Sequence, residues 1–199
     1  MMTELRQFRE EDRSAICEMI RREWNFDRYG PGWMKLAGIF LDGYLRGSDG
    51  LLVLEDGGSV AGMVSYRYHV GAGHDSDVDA AASMGRSEID AENAAKDLRA
   101  MFEADKAMYS RLDTEGMGEL MLIMIGTEFK GKGYGKMLFG HAADRMREAG
   151  CRGMLFVSDT DCDTGFYDHI GARLVEREDI SISIYPGERF TRLVYRYDL

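Results

Sequence analysis

Three alternate glycines and three lysines occupy the seven positions Lys130-Gly131-Lys132-Gly133-Tyr134-Gly135-Lys136. Glycine lets a turn take positive φ and come close to a ligand with no Cβ in the way. Successive N–H groups can then point into one cavity at the positive end of a following helix. That chemistry binds an anion, most naturally a pyrophosphate. The lysines strengthen the reading because the chain is otherwise acidic: 25 Lys and Arg face 35 Asp and Glu, a net charge of −10 over 199 residues. No Gly-Lys-Ser/Thr follows at Walker A spacing, and the glycine spacing is wrong for a Rossmann fingerprint. A tight strand-to-helix turn with solvated lysines is the plainer alternative, and the surrounding elements favour the anion site over it.

The heptapeptide sits between two kinds of periodicity. ELMLIMI (119–125) is apolar on both faces, as in a central strand covered on both sides. Helical spacing resumes from Lys136 to Ala149 through Leu138, Phe139, Ala142 and Met146, and Gly150 stops it. GMLFVSD (153–159) is a second buried strand and TGFYDHIGA a short helix. Residues 119–171 thus form a βαβ unit with parallel strands and a right-handed crossover. In such sheets ligands bind beyond the carboxyl ends of the strands.

Upstream, residues 3–9 suggest a strand, and helical spacing links Ile16, Met19, Ile20 and Trp24, then Trp33, Leu36, Ala37, Phe40, Leu41 and Tyr44. Asp56-Gly57-Gly58 between two apolar runs signals a hairpin. Residues 71–86 are small and acidic and read as a loop, Ser87 with Asp90 resembles a capping box, and Ile89–Leu112 reads as a helix with Leu98, Met101, Phe102 and Met108 on one side. At the end, Ile180, Ile182 and Ile184 alternate with serines, Pro186-Gly187 turns, and RFTRLVYRYDL returns, which predicts a hairpin. Neither a repeat nor a linker divides the chain, so 1–199 is expected to form a single domain.

Composition removes other classes. At 45% apolar and 30% charged, the chain matches a soluble globular protein. Met1–Ser14 is charged and lacks an apolar h-region, and no apolar run is long enough for a bilayer. Cys17, Cys151 and Cys162 form no C-x-x-C pair, and the four histidines (His69, His74, His141, His169) none at i, i+4. No metal site is expected, and the cysteine usage suits a reducing cytoplasm. An acidic surface repels phosphate backbones, which excludes nucleic acid as a partner and leaves room for a cationic amine.

Lys130 to Gly135 resembles the Arg/Gln-x-x-Gly-x-Gly/Ala motif of the GCN5-related N-acetyltransferases, the GNAT superfamily, with Lys130 in place of Arg or Gln. GELMLIMIGTEFKGKGYGKML is similar to that family's fourth strand and following helix, with Thr127 where proline is common, and GFYDHIGARLV resembles its FYEKLGF segment. The match is specific over about 119–175 and topological over 3–70. It implies an α/β (α+β) fold: a mixed, mostly antiparallel twisted sheet flanked by helices and splayed between strands 4 and 5, with 71–112 as a loop-plus-helix insertion. It also implies a single acyl-CoA N-acyltransferase domain that moves acetyl from acetyl-CoA to a primary amine, by direct transfer in a ternary complex and without a metal.

By resemblance, Phe129, Lys130, Gly131, Lys132, Gly133, Tyr134, Gly135 and Lys136 cradle the pyrophosphate, and a main-chain N–H near Met124 and Ile125 meets the oxyanion. An alkylammonium of pKa about 10.4 is almost wholly protonated at pH 7, so a base is required. Glu119, eleven positions before Lys130, resembles the family's glutamate base, although an ordinary polar residue at a strand entrance would look the same. Tyr167 resembles the acid that protonates the departing thiolate, against the alternative of an aromatic that packs its helix on the sheet. Asp159–Thr164 lacks the asparagine common there and reads as a solvated helix start. Cys162 has no histidine placed to activate it, and His141 and His169 read as surface or capping residues. Trp24, Tyr29, Trp33 and Tyr44 are acceptor-pocket walls or core; His74, Asp75, Asp77 and Asp79 frame a cation or are solvated. The resemblance fits a small-molecule or peptide amine as partner, no membrane, a monomer or homodimer, and a cytoplasmic setting. A non-catalytic coenzyme-A-binding regulator with the same fold is the rival.

Overall fold

The computed structural model describes residues 3–71, 80–82, 90–162 and 164–199. Strand β1 (Thr3–Gln7) pairs antiparallel with β2 (Gly50–Asp56), which turns into β3 (Ser59–Arg67) through Gly57 and Gly58 at φ 61° and 84°. Two successive positive φ values make the tight turn whose twist suits a hairpin, as the Asp-Gly-Gly signal predicts. Between β1 and β2 lie α1 (Arg13–Trp24) and α2 (Trp33–Gly47); of the expected apolar stripes Ile16, Ile20, Leu36, Ala37, Phe40, Leu41 and Tyr44 are buried and Met19, Trp24 and Trp33 half-buried. Asn25, at φ 52°, ends α1 in the left-handed region that asparagine tolerates better than most residues.

Helix α3 (Ala91–Ser110) starts at Asp90, whose side chain accepts the Asn93 N–H at 3.2 Å; Ser87, the other half of the anticipated capping box, lies outside the described residues. Most of the expected 71–86 loop also lies outside them. Its described part departs from expectation, because residues 80–82 are helical and Ala81 is fully buried in the same core cluster as α1 and α2. Then come β4 (Met117–Ile125), α4 (Tyr134–Glu148), β5 (Gly153–Asp159), α5 (Gly165–His169), β6 (Arg173–Ile180) and β7 (Phe190–Asp198).

The seven strands form one sheet in the order β1-β2-β3-β4-β5-β7-β6, antiparallel except for β4–β5. α1, α2 and α3 cover one face, where Ile16, Ile20, Leu41 and Leu98 meet Val53 and Met63; α4 and α5 cover the other, where Leu138, Phe139 and Met146 meet Val64, Leu120 and Phe156. The C-terminal hairpin forms differently from its prediction. Its first strand is Arg173–Ile180, and Ile182 and Ile184 fall in the connection. Buried Asp97 of α3 takes both the N–H and the hydroxyl of Ser183, at 2.7 and 2.6 Å, and Ile182 packs with Met101, so the chain leaves the sheet there. The charged 173–180 segment serves as an edge strand, where alternate side chains face water.

Two irregularities place the site. β4 and β5 pair only from Met117–Gly153 to Glu119–Leu155 and then part, which is the expected splay. On the other side of β4, Leu122 opposes Ser65 and Leu120 opposes Tyr66, so Met121 is an extra residue, a bulge that bends the strand.

Candidate active site

A cavity of about 470 Å³ opens through the splay and is lined by Leu120–Ile125 on one strand and Phe156–Asp159 on the other. Its lining divides into two limbs: residues of the Gly-rich loop and the start of α4 form one, and residues of α1, α2 and α3 with the strands behind them form the other.

In the loop limb the sequence works mainly through its backbone. Gly131 and Gly133 both sit at φ 81°, and no atom lies within 4 Å of where a Cβ would stand. The main chain after Lys130 makes no main-chain hydrogen bond among the described residues until Met137 N–H donates to Gly133 O. A run of unpaired N–H groups at a helix start suits a phosphate. Gly135 packs against Phe166, where a Cβ would come to 3.3 Å. The three lysines separate: Lys130 and Lys136 line the cavity, whereas Lys132 turns away to Asp56 at 2.9 Å. There it lies over Phe129 and Tyr134, and the Tyr134 hydroxyl donates to the same carboxylate at 2.8 Å.

At the junction stands Tyr167, buried on Phe156 and Tyr195 at ring distances of 4.9 and 5.0 Å. It therefore has both of its alternative roles open to it, packing and access to the cavity. Burial, with the nearby Cys162 adding to it, raises the phenol well above its ordinary value, so it holds its proton. Burial likewise pushes Cys162 up to about 12, leaving a thiol rather than a thiolate. Ser158 is 3% exposed, and although its hydroxyl lies close enough to the Tyr167 phenol and the Cys162 thiol to ease both downward, neither meets its Oγ in hydrogen-bond geometry. A buried hydroxyl left unpaired at a cavity wall fits a ligand that would supply the partner.

The helix limb works through side chains. Glu119, 8% exposed, accepts Arg67 Nε and Nη2 at 2.8 and 2.5 Å and the Gly71 N–H at 3.1 Å on Oε2; Tyr109 donates to Oε1 at 3.2 Å. Arg192 of β7 clamps Asp105 of α3 at 2.9 and 2.7 Å and Asp159 at 3.0 Å. Asp159 is 1% exposed, which corrects the solvated reading at that residue, while Thr160 and Asp161 are exposed as expected. The position of Asp159 opposite Arg192 in the β5–β7 ladder draws it inward. Trp24, Phe40, Tyr44 and Phe102 supply apolar wall; of the four aromatics suggested for it, Tyr29 and Trp33 are instead occupied elsewhere, by Asp97 and under Arg21.

Met124 and Ile125, expected to offer a main-chain N–H to the oxyanion, are among the residues that line the cavity, and the bulge that disturbs main-chain pairing lies earlier, at Met121. His169 reaches the rim and His141 does not; His74, Asp75, Asp77 and Asp79 lie outside the described residues. Sequence reading missed Glu23, Arg67, Asp105, Tyr109, Ser158 and Arg192. Alternation could have placed Arg192 on the inward face with Val194, had the phase of β7 been known.

The chain matches the family model described as Acetyltransferase (GNAT) family over residues 13–171. Its fold is similar to an N-acetyltransferase from Staphylococcus aureus Mu50, at TM-score 0.62, 14% identity and coverage of 100% and 99% of the two chains. It is also similar to a ribosomal-protein-alanine N-acetyltransferase from Brucella melitensis, at 0.59, 14%, 98% and 99%. A GNAT family acetyltransferase from Brucella melitensis in complex with acetyl-CoA is similar at 0.50 and 17%, over 86% and 83%. No curated protein matches the chain. The family match over most of the chain agrees with the splayed seven-stranded sheet, and the chain belongs to the GNAT acetyltransferase family.

Proposed function

We propose that this acetyltransferase moves acetyl from acetyl-CoA to a primary amine of a small molecule or peptide, by direct transfer in a ternary complex. The observation that supports the reading best is the continuity of the cavity. It joins a row of unpaired N–H groups at the α4 start to an apolar, charge-lined limb, with Tyr167 between them. Phe129 to Lys136 are the residues that would hold the pyrophosphate, with Gly131, Gly133 and Gly135 giving access and Lys130 and Lys136 the charge. Acetyl-CoA supplies an activated thioester.

Tyr167 is the acid in this reading, since it lines the cavity with its proton in place, although the burial that keeps the proton there also makes it harder to give to a thiolate. The thiol state of Cys162 favours direct transfer over an acyl-cysteine. Glu119 has both oxygens engaged, and its part is to hold Arg67, Gly71 and Tyr109 at the wall rather than to take the ammonium proton itself. Among the described residues no group of metal-ligating side chains is present, and no helix is long and apolar enough to cross a membrane.

Calorimetry with acetyl-CoA, then thiol release across a panel of amines, tests the proposal. Binding with release supports it, whereas binding without release from any amine promotes the non-catalytic regulator. Tyr167→Phe is expected to lower kcat by about 100-fold with acetyl-CoA affinity retained. Because a raised pKa keeps the acid protonated, kcat should lose no rate to phenol ionisation below about pH 10. A descending limb at lower pH that vanishes in Tyr167→Phe would show that the phenol ionises lower than its burial implies, and an unchanged kcat in Tyr167→Phe would exclude the acid role.

A further inference from the structure

Four carboxylates line the cavity: Glu23, Asp105, Glu119 and Asp159. Three already have cations. Glu119 holds Arg67, and Asp105 and Asp159 share Arg192. Among the described residues the Glu23 side chain has neither an ion pair nor a hydrogen bond. Its neighbours on α1 are committed elsewhere, Arg21 and Arg22 both to Glu18 at 2.7 and 2.8 Å.

The position of Glu23 is as telling as its lack of a partner. It lies in the last turn of α1, just before the left-handed Asn25 that ends the helix. From there it lines both the cavity and a shallow outer depression shared with Asn25, Lys130, Asp161 and Cys162, so it stands where the interior meets the surface. Its charge reaches the reacting centre, since it adds to the upward shifts of Cys162 and Tyr167. Trp24 and Phe40, 5.1 Å apart, form apolar wall beside it. The cations facing the cavity without a described carboxylate partner are Lys106 on α3 and Lys130 and Lys136 at the loop. Two of those three belong to the anion cradle.

We infer that Glu23 receives the acceptor's ammonium group and takes its proton, which makes the acceptor a cationic primary amine on an apolar stem. The inference rests on the acetyl-transfer reading. One N–H proton of the ammonium passes to a Glu23 carboxylate oxygen. The freed lone pair forms the C–N bond to the acetyl carbonyl carbon as the C–S bond breaks. The sulfur takes the Tyr167 proton, the phenol is restored from the second N–H proton of the nitrogen, and Glu23 gives its proton to solvent. One ammonium and one thioester thus yield one amide, one thiol and one proton.

The test compares the unchanged enzyme, Glu23→Gln and Glu23→Asp with a cationic aliphatic amine and with hydroxylamine, which is largely uncharged at neutral pH. Glu23→Gln is expected to lower kcat/KM for the cationic amine about 100-fold. Glu23→Asp should keep part of that rate, and both should retain acetyl-CoA affinity by calorimetry and the hydroxylamine rate. Equal losses with both nucleophiles would show a structural role and overturn the assignment, as would an unchanged rate with the cationic amine. If the unchanged enzyme releases no thiol with any amine, the acetyl-transfer reading itself fails, and the Glu23 assignment with it.

Discussion

The two limbs of the cavity are built from opposite materials. The loop limb is eight consecutive residues whose backbone does most of the work: left-handed glycines, unpaired N–H groups and a helix start. The helix limb takes single side chains from α1, β3, α3, β4, β5 and β7 and fixes them by charge, with Arg67 on Glu119 and Arg192 on Asp105 and Asp159. A backbone site tolerates change in most of its side chains provided the glycines stay. A site of buried ion pairs does not, because each removal strands a charge.

The largest effect expected from this difference is in Arg192→Ala. It leaves Asp105 and Asp159 facing each other without a cation in a region where Asp159 is fully buried. Stability should fall by about 3–5 kcal/mol, the usual cost of removing one partner of a buried pair, as read by urea denaturation. A loss below about 1 kcal/mol, typical of exposed pairs, would mean that water reaches the helix limb freely and that the contrast with the loop limb is false.

The same contrast explains what could be read from the sequence. The Gly-rich turn was legible because its chemistry is contiguous: spacing alone placed Lys130–Lys136 between a buried strand and a helix, and β5 was found at its observed bounds. The helix limb was not, because nothing local distinguishes Arg67 or Arg192 from a surface arginine; each turns inward only once the strand's phase and its neighbour are known. Asp159 was misread for that reason, as a residue whose partner lies 33 positions away. The C-terminal hairpin failed similarly, since the Ile-Ser alternation at 180–184 is a sound strand pattern overridden by Asp97.

A smaller effect of opposite sign tests the junction. An unpaired buried hydroxyl is a burden to the folded protein, so Ser158→Ala should raise the stability of the protein without ligand by about 1 kcal/mol. For a chain of this size that corresponds to roughly 2–4 °C in Tm. If acetyl-CoA satisfies the hydroxyl, the variant should gain less Tm from saturating acetyl-CoA than the unchanged protein. An unchanged Tm without ligand, or an equal gain with it, would show that the Ser158 hydroxyl is already satisfied by its neighbours.

The smallest effect lies within the loop limb and asks whether it works by geometry or by summed charge. The sequence presents Lys130, Lys132 and Lys136 as equivalents, yet Lys132 is held by Asp56 and rests over two aromatic rings while Lys130 faces the cavity. If direction matters, Lys130→Ala should weaken acetyl-CoA binding by about three- to tenfold at low salt, and Lys132→Ala should leave it nearly unchanged. Both lysines are exposed to solvent, so the Lys130 effect should shrink as ionic strength rises and the screening length falls from about 30 Å at 0.01 M to about 8 Å at 0.15 M. Asp56→Asn sharpens the comparison, because it releases Lys132 while removing one negative charge beside the loop, and Lys132→Ala in that background separates the two effects. Binding should then tighten at low salt, and Lys132→Ala in that background should reverse the gain. Equal losses from Lys130→Ala and Lys132→Ala in the unchanged background would mean that the limb attracts its anion by net charge. The difference between the two limbs would then lie in how far their charges are from water and not in backbone against side chain.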